Sequence, residues 1–110
     1  MKDILVVSAT ELPGYRVTDV LGLVRGNTVR ARHLGRDILA FFRNIVGGEV
    51  QEYRKLMAES REQALDQMIE EARELGADAI VSVRMTTSMI SQGMAEILTY
   101  GTAVRAEKQN

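Results

Sequence analysis

The sequence predicts an α+β domain in which one long helix packs on an antiparallel sheet. Three observations predict it. Residues 50–75 carry an unbroken helical repeat, with Met57, Ala64, Met68, Ala72 and Leu75 at three- and four-residue steps and Leu65 and Ile69 widening the stripe. Glycines bracket that repeat: Gly47-Gly48 break the chain before it, and Gly76 stands where a left-handed cap is usually glycine. Finally, residues 4–9, 79–85 and 95–105 are runs of strong β-formers. At about 1.5 Å per residue the helix spans close to 40 Å, the width of a small domain. The 110 residues form one domain, 1–110, large enough for a single core.

In chain order, residues 4–9 read as a first strand, with Ile4 and Val6 on one face and Leu5 and Val7 on the other. Leu12-Pro13-Gly14-Tyr15 reads as a turn, proline setting its second position and glycine supplying positive φ at the third. A strand over 16–25 follows. Gly26-Asn27 is a two-residue hairpin signal of the primed-turn kind, and 28–32 returns as a short strand. Residues 34–46 read as a shorter helix with Ile38, Phe42 and Ile45 as its stripe and Asp37 in its first turn. After the long helix and the strand 79–85, residues 86–93 are polar and loop-like. A last strand over 95–105 precedes a tail at 107–110.

The strands are apolar on both faces, and one helix covers only one face of a sheet. A second cover is therefore expected, and a second subunit is the candidate. Homo-oligomerisation follows as an expectation from the residues alone.

Composition excludes several classes. With no cysteine there is no disulfide, thiolate metal site or cysteine nucleophile. No apolar run approaches the ~20 residues of a membrane span, and residues 4–7 are too short for a signal segment, so we expect a cytoplasmic protein without a membrane partner. A net charge of −1 and an arginine stretch without interleaved aromatics argue against nucleic acid. No nucleophile elbow, dinucleotide turn or phosphate loop is present, so no enzyme is expected.

Charge is unevenly spread. Arg25, Arg30, Arg32, Arg36 and Arg43 are answered locally only by Asp37, whereas the long helix is rich in carboxylates. Arg30 and Arg32 share one face of the short strand, and Arg25 and Arg36 are expected to converge on it, with Asn27 in the turn between. Two uses are open for Arg25, Asn27, Arg30, Arg32 and Arg36: a subunit interface paired to the acidic helix, or an anion site. Metal chemistry is sparse. His33 is the single histidine, and Met85, Met89 and Met94 are thioethers suited either to a soft metal or to packing.

The strings RGNTVRARHLGRDI (25–38), RNIVGGEVQEY (43–53), LGADAIVSVRM (75–85), SQGMAEILTYGTAV (91–104) and LPGYRV (12–17) together resemble the YbjQ family of small bacterial and archaeal proteins. The resemblance covers nearly the whole chain. It implies a β-α-β-β unit with extra short strands at the oligomer interface, assembled as a ring-shaped homopentamer. It also implies a family without an assigned activity, labelled heavy-metal-binding, so that a metal ion is the cofactor it suggests. Any site shared with that family rests on carboxylates, Met94 or backbone oxygens, because this chain has no cysteine and its one histidine falls where the family pattern tolerates asparagine. The resulting expectation is a cytoplasmic homo-oligomeric binding protein, with two alternatives: a scaffold oligomer without ligand, and an anion-binding ring built on the stretch 25–36.

Overall fold

The computed structural model describes residues 3–31, 50–91 and 94–110. Five elements follow in order: β1 (Leu5–Val6), β2 (Tyr15–Ala31), α1 (Val50–Glu74), β3 (Ala79–Ser91) and β4 (Met94–Lys108). The strands form one sheet of order β1-β3-β4-β2. β4 is antiparallel to both β2 and β3, and β1 runs parallel to β3, so the sheet is mixed. With α1 packed on one face, the architecture is the expected α+β helix-on-sheet unit. The parallel pair follows from topology, since the chain passes through β2 and α1 before β3 returns beside β1. The expected helix over 34–46 lies outside the described residues. Among those residues no helix is long and apolar enough to cross a membrane.

The helix keeps its sequence-predicted span almost to the residue. Its end is a Schellman cap: Gly76 adopts φ +77, the Ala77 amide donates to the Ala72 carbonyl at 3.0 Å, and the Gly76 amide donates to Arg73 at 3.0 Å. Ala77 and Ala72 meet in the core, the apolar contact that usually accompanies this cap. Leu75 falls just past the helix and is exposed. Ala64, Met68 and Ala72 are fully buried, and Val24, Ile80 and Ala103 complete the core beneath them.

The hairpin expected at Gly26-Asn27 does not exist. β2 is a single strand of 17 residues that runs straight through it. Gly26 is there for a different reason: a Cβ at that position would meet the Ala64 carbonyl oxygen, with Gln67 Cβ at 2.8 Å and the Met68 nitrogen at 2.9 Å. The helix backbone sits directly on the strand, and only glycine leaves room for it. The loop expected over 86–93 is likewise mostly strand, because β3 continues to Ser91 and pairs with β4 to its end. Its Thr and Ser residues suit a solvent-facing ribbon as well as a loop, so polarity was the wrong guide there.

The second cover for the two-faced strands comes partly from the chain itself. Leu12, in the turn before β2, packs with Ala79, Val81 and Val104 on the face away from α1, flanked by Val7 and Ala106. The Tyr15 amide closes that turn on the Leu12 carbonyl at 2.9 Å. Beyond the turn the face is open, and along β2 it shows Val17, Val20, Leu23 and Val29 to solvent.

Two substitutions test this packing. Gly26→Ala should destabilise the fold by about 3 kcal/mol or more, because a backbone carbonyl must retreat. Met68→Asp should cost on the order of 3–5 kcal/mol through lost packing and an unpaired buried carboxylate. Exposed Glu62→Ala should stay within about 0.5 kcal/mol. Urea denaturation midpoints measure all three, and a Gly26→Ala protein as stable as Glu62→Ala would refute the close approach.

Candidate functional site

The arginines expected to converge are separated by the continuity of β2. Arg25 and Arg30 are five residues apart in one strand, and an odd spacing puts them on opposite faces. Their convergence required a turn at Gly26-Asn27, and the strand removes it. Arg32 and Arg36 lie outside the described residues.

Arg30 lies under the helix. Its Nε donates to the Ser60 hydroxyl at 2.7 Å and its Nη2 to the Gln63 side-chain oxygen. The Thr28 hydroxyl, on the same face, donates to the Ser60 carbonyl at 3.1 Å, and Ser60 Oγ donates to the Leu56 carbonyl at 2.9 Å. Asn27 adds a backbone bond, its amide donating to Gln67 Oε1 at 3.0 Å. These bonds fasten strand to helix on either side of the Gly26 contact. The helix thus meets Arg30 with neutral acceptors, and its carboxylates at Glu59, Glu62, Asp66 and Glu70 stay exposed on the solvent side.

Arg25 belongs to the opposite face, and the residues beside it escaped the sequence reading. It stands directly across from Tyr100 on β4, and Tyr100 stands directly across from Arg84 on β3. The three occupy one row over three adjacent strands. Arg84 reaches that face because β3 carries a bulge between Val81 and Arg84, in which Ser82 adopts φ 56. One extra residue shifts the alternation, so Val83 turns toward the helix core and Arg84 away from it. Arg84 Nη1 donates to the Ser8 and Val83 carbonyls, each at 2.9 Å. On the same face Asn27 Nδ2 donates to Glu96 Oε2 at 3.1 Å. Among the described residues the ion pairs are Arg16–Glu107 and Glu70–Arg73, and neither involves Arg25, Arg30 or Arg84. The missed signal was Arg84 in a run of β-formers, but its face depends on a bulge that periodicity does not reveal.

Comparison with known proteins places this geometry in a family. The YbjQ family model, described as "Putative heavy-metal-binding", matches residues 4–107. The chain belongs to this family. It is 54% identical over 99% of its length to a UPF0145 protein of Pyrococcus furiosus, covering 96% of that protein. To a UPF0145 protein of Thermus thermophilus it is 55% identical over 96% of its length, covering 92% of the other. A solved structure of a protein of unknown function in the DUF74 family, from Pediococcus pentosaceus, matches with TM-score 0.64 at 14% identity, covering 94% of this chain and 98% of that one. At that identity the likeness concerns the fold alone.

The family's heavy-metal description finds no matching donor set among the described residues. No group of three or more His, Cys, Asp or Glu side chains is gathered there. The thioethers do not converge either. Met68 is buried in the core, with Sδ 3.9 Å from the Thr99 hydroxyl. Met85 pairs with Thr99 and Met89 with Ala95, four residues apart on one face of β3, whereas Met94 pairs with Ser91 and faces the other side of the sheet. His33 lies outside the described residues.

The Arg30 seam yields a direct expectation. Ser60→Ala leaves Arg30 Nε without its acceptor and should destabilise the protein by about 1–2 kcal/mol, read as a lower urea midpoint at unchanged slope. An unchanged midpoint would mean that the seam contributes nothing to holding strand to helix.

Proposed function

We propose that this chain is the subunit of a cytoplasmic homo-oligomeric ring, a pentamer by its family resemblance, that binds a ligand rather than catalysing a reaction. The observation carrying the assembly is β2. It lies at the edge of the sheet, pairs only with β4 among the described residues, and is 17 residues long. At about 3.4 Å per residue it runs close to the molecule's 58 Å long axis. Long free edges attract further strands and are normally blunted or covered. This edge also presents apolar side chains away from the helix, with Val20 71% and Leu23 62% exposed. Burying such side chains contributes roughly 1.5–3 kcal/mol each, enough for a few of them to hold an interface.

The shape supports the same reading. The radius of gyration is 17.7 Å, against about 13 Å for a compact domain of this length. An elongated sheet with long open edges, β2 on one side and the second half of β3 on the other among the described residues, reaches ordinary burial by sharing surfaces, and a heterologous contact that closes makes a ring.

The buried hydroxyls of the described residues serve the fold. Thr28, Ser60 and Thr99 donate to the carbonyls of Ser60, Leu56 and Arg84, so each is engaged in holding the fold. The heavy-metal description is not carried over to the described residues, for the donor reasons above. Dialysis against zinc, cadmium and copper followed by elemental analysis should show well under one ion per subunit. Retention of one ion per subunit would restore the metal reading.

Analytical ultracentrifugation tests the ring. The wild type should sediment as a single closed oligomer at micromolar concentration, and the double variant Val20→Asp, Leu23→Asp should shift to smaller species with helix content retained. A monomeric wild type would overturn the assembly.

A further inference from the structure

We propose that the row Arg25–Tyr100–Arg84 is a binding site for a phosphate-type oxyanion. The inference deepens the binding role above and is independent of the ring. The two arginines flank Tyr100 on the sheet face away from α1, each directly opposite it in register. With strands about 4.8 Å apart, their Cα atoms are roughly 10 Å apart, and because the Ser8 carbonyl holds the Arg84 guanidinium on the β1 side of β3, a ligand must reach across Tyr100 to meet both. Arg25 is exposed, and neither arginine is paired to a described carboxylate. Glu96, two positions from Tyr100 on the same face, accepts instead from Asn27.

The chain also spends conformational freedom on this arrangement. Arg84 lies on this face only because of the bulge at Ser82, a non-glycine residue at φ 56. Left-handed backbone at such a residue is unfavourable and tends to persist where function requires it. The guanidinium is then steadied by two neutral carbonyls, those of Ser8 and Val83, through Nη1 alone. No described carboxylate pairs with it, and Nη2 and Nε make no bond with a described residue. A fork steadied in this way suits bidentate recognition of a tetrahedral oxyanion. A second guanidinium across the ring adds charge, and the phenol supplies an apolar face with a hydroxyl at its tip. A phosphate group satisfies these features together, whether as the free ion or as the phosphoryl end of a small molecule.

Isothermal titration of the full-length protein in low-salt chloride buffer tests the site, with inorganic phosphate and phenyl phosphate as separate probes. Wild type should bind phosphate saturably. Arg25→Gln, which disturbs no bond among the described residues, should weaken it at least tenfold with the subunit count by native mass spectrometry unchanged. Arg16→Gln, at the far end of β2, should leave binding as in wild type. Tighter binding of phenyl phosphate would assign the site to a phosphorylated aromatic ligand, and equal binding to the free ion. No saturable binding, or binding unaffected by Arg25→Gln, overturns the proposal. Loss of assembly in Arg25→Gln also overturns it and makes the row a subunit contact, with the ring reading intact. A wild type that binds phosphate as a monomer sinks the ring and leaves the site standing.

Discussion

The close approach of α1 to β2 at Gly26 governs the rest of the structure. A helix usually rests on a sheet through side chains, but here the Ala64 carbonyl occupies the volume of a missing Cβ. That contact fixes the height of the helix over the strand. At this height polar groups can reach across, and Thr28 and Arg30 meet Ser60 while the Asn27 amide meets Gln67. A larger residue at position 26 would lift the helix and break these bonds together. The seam is polar but satisfied, the condition under which buried polar groups specify an arrangement rather than weaken it.

Committing one face of β2 to the helix determines what its other face can do. Alternation leaves Leu23, Arg25, Asn27 and Val29 on the far side, where the only cover from the described chain is the Leu12 turn. Irregularities in the ladder tune that side. Register shifts after Val17 and Val20 keep both valines facing outward, and the bulge at Ser82 brings Arg84 into line with Tyr100 and Arg25. Each extra residue reverses the facing of everything beyond it, so a few local insertions decide which side chains share a surface. Apolar and cationic groups end up as neighbours on one open face, one set suited to assembly and the other to an anion.

The relation between fold and family description follows the same division. Membership rests on identity over nearly the whole chain, whereas the likeness to the DUF74 structure shows how much sequence can change while this helix-on-sheet unit persists. A fold preserved at 14% identity does not transmit a ligand. On the open face of this chain the described residues present guanidinium, phenol, amide and aliphatic side chains, and no group of three or more His, Cys, Asp or Glu is gathered among the described residues.

By itself the sequence determined the elements whose causes are local. The span of α1, its buried stripe at Ala64, Met68 and Ala72, its glycine cap and the β character of the other segments all follow from periodicity and turn chemistry within a few residues. The candidate site was legible only in part: Arg25 lies in the proposed anion row, Asn27 and Arg30 hold strand to helix, and Arg84 and Tyr100 were missed. Only the tertiary structure decided these matters, because each depends on contacts between distant parts of the chain. Gly26-Asn27 has the composition of a turn, but the glycine answers to a helix some 40 residues away. Arg25 and Arg84 are partners across β4 only through strand register and a bulge, which pairing between strands sets and residue order alone does not.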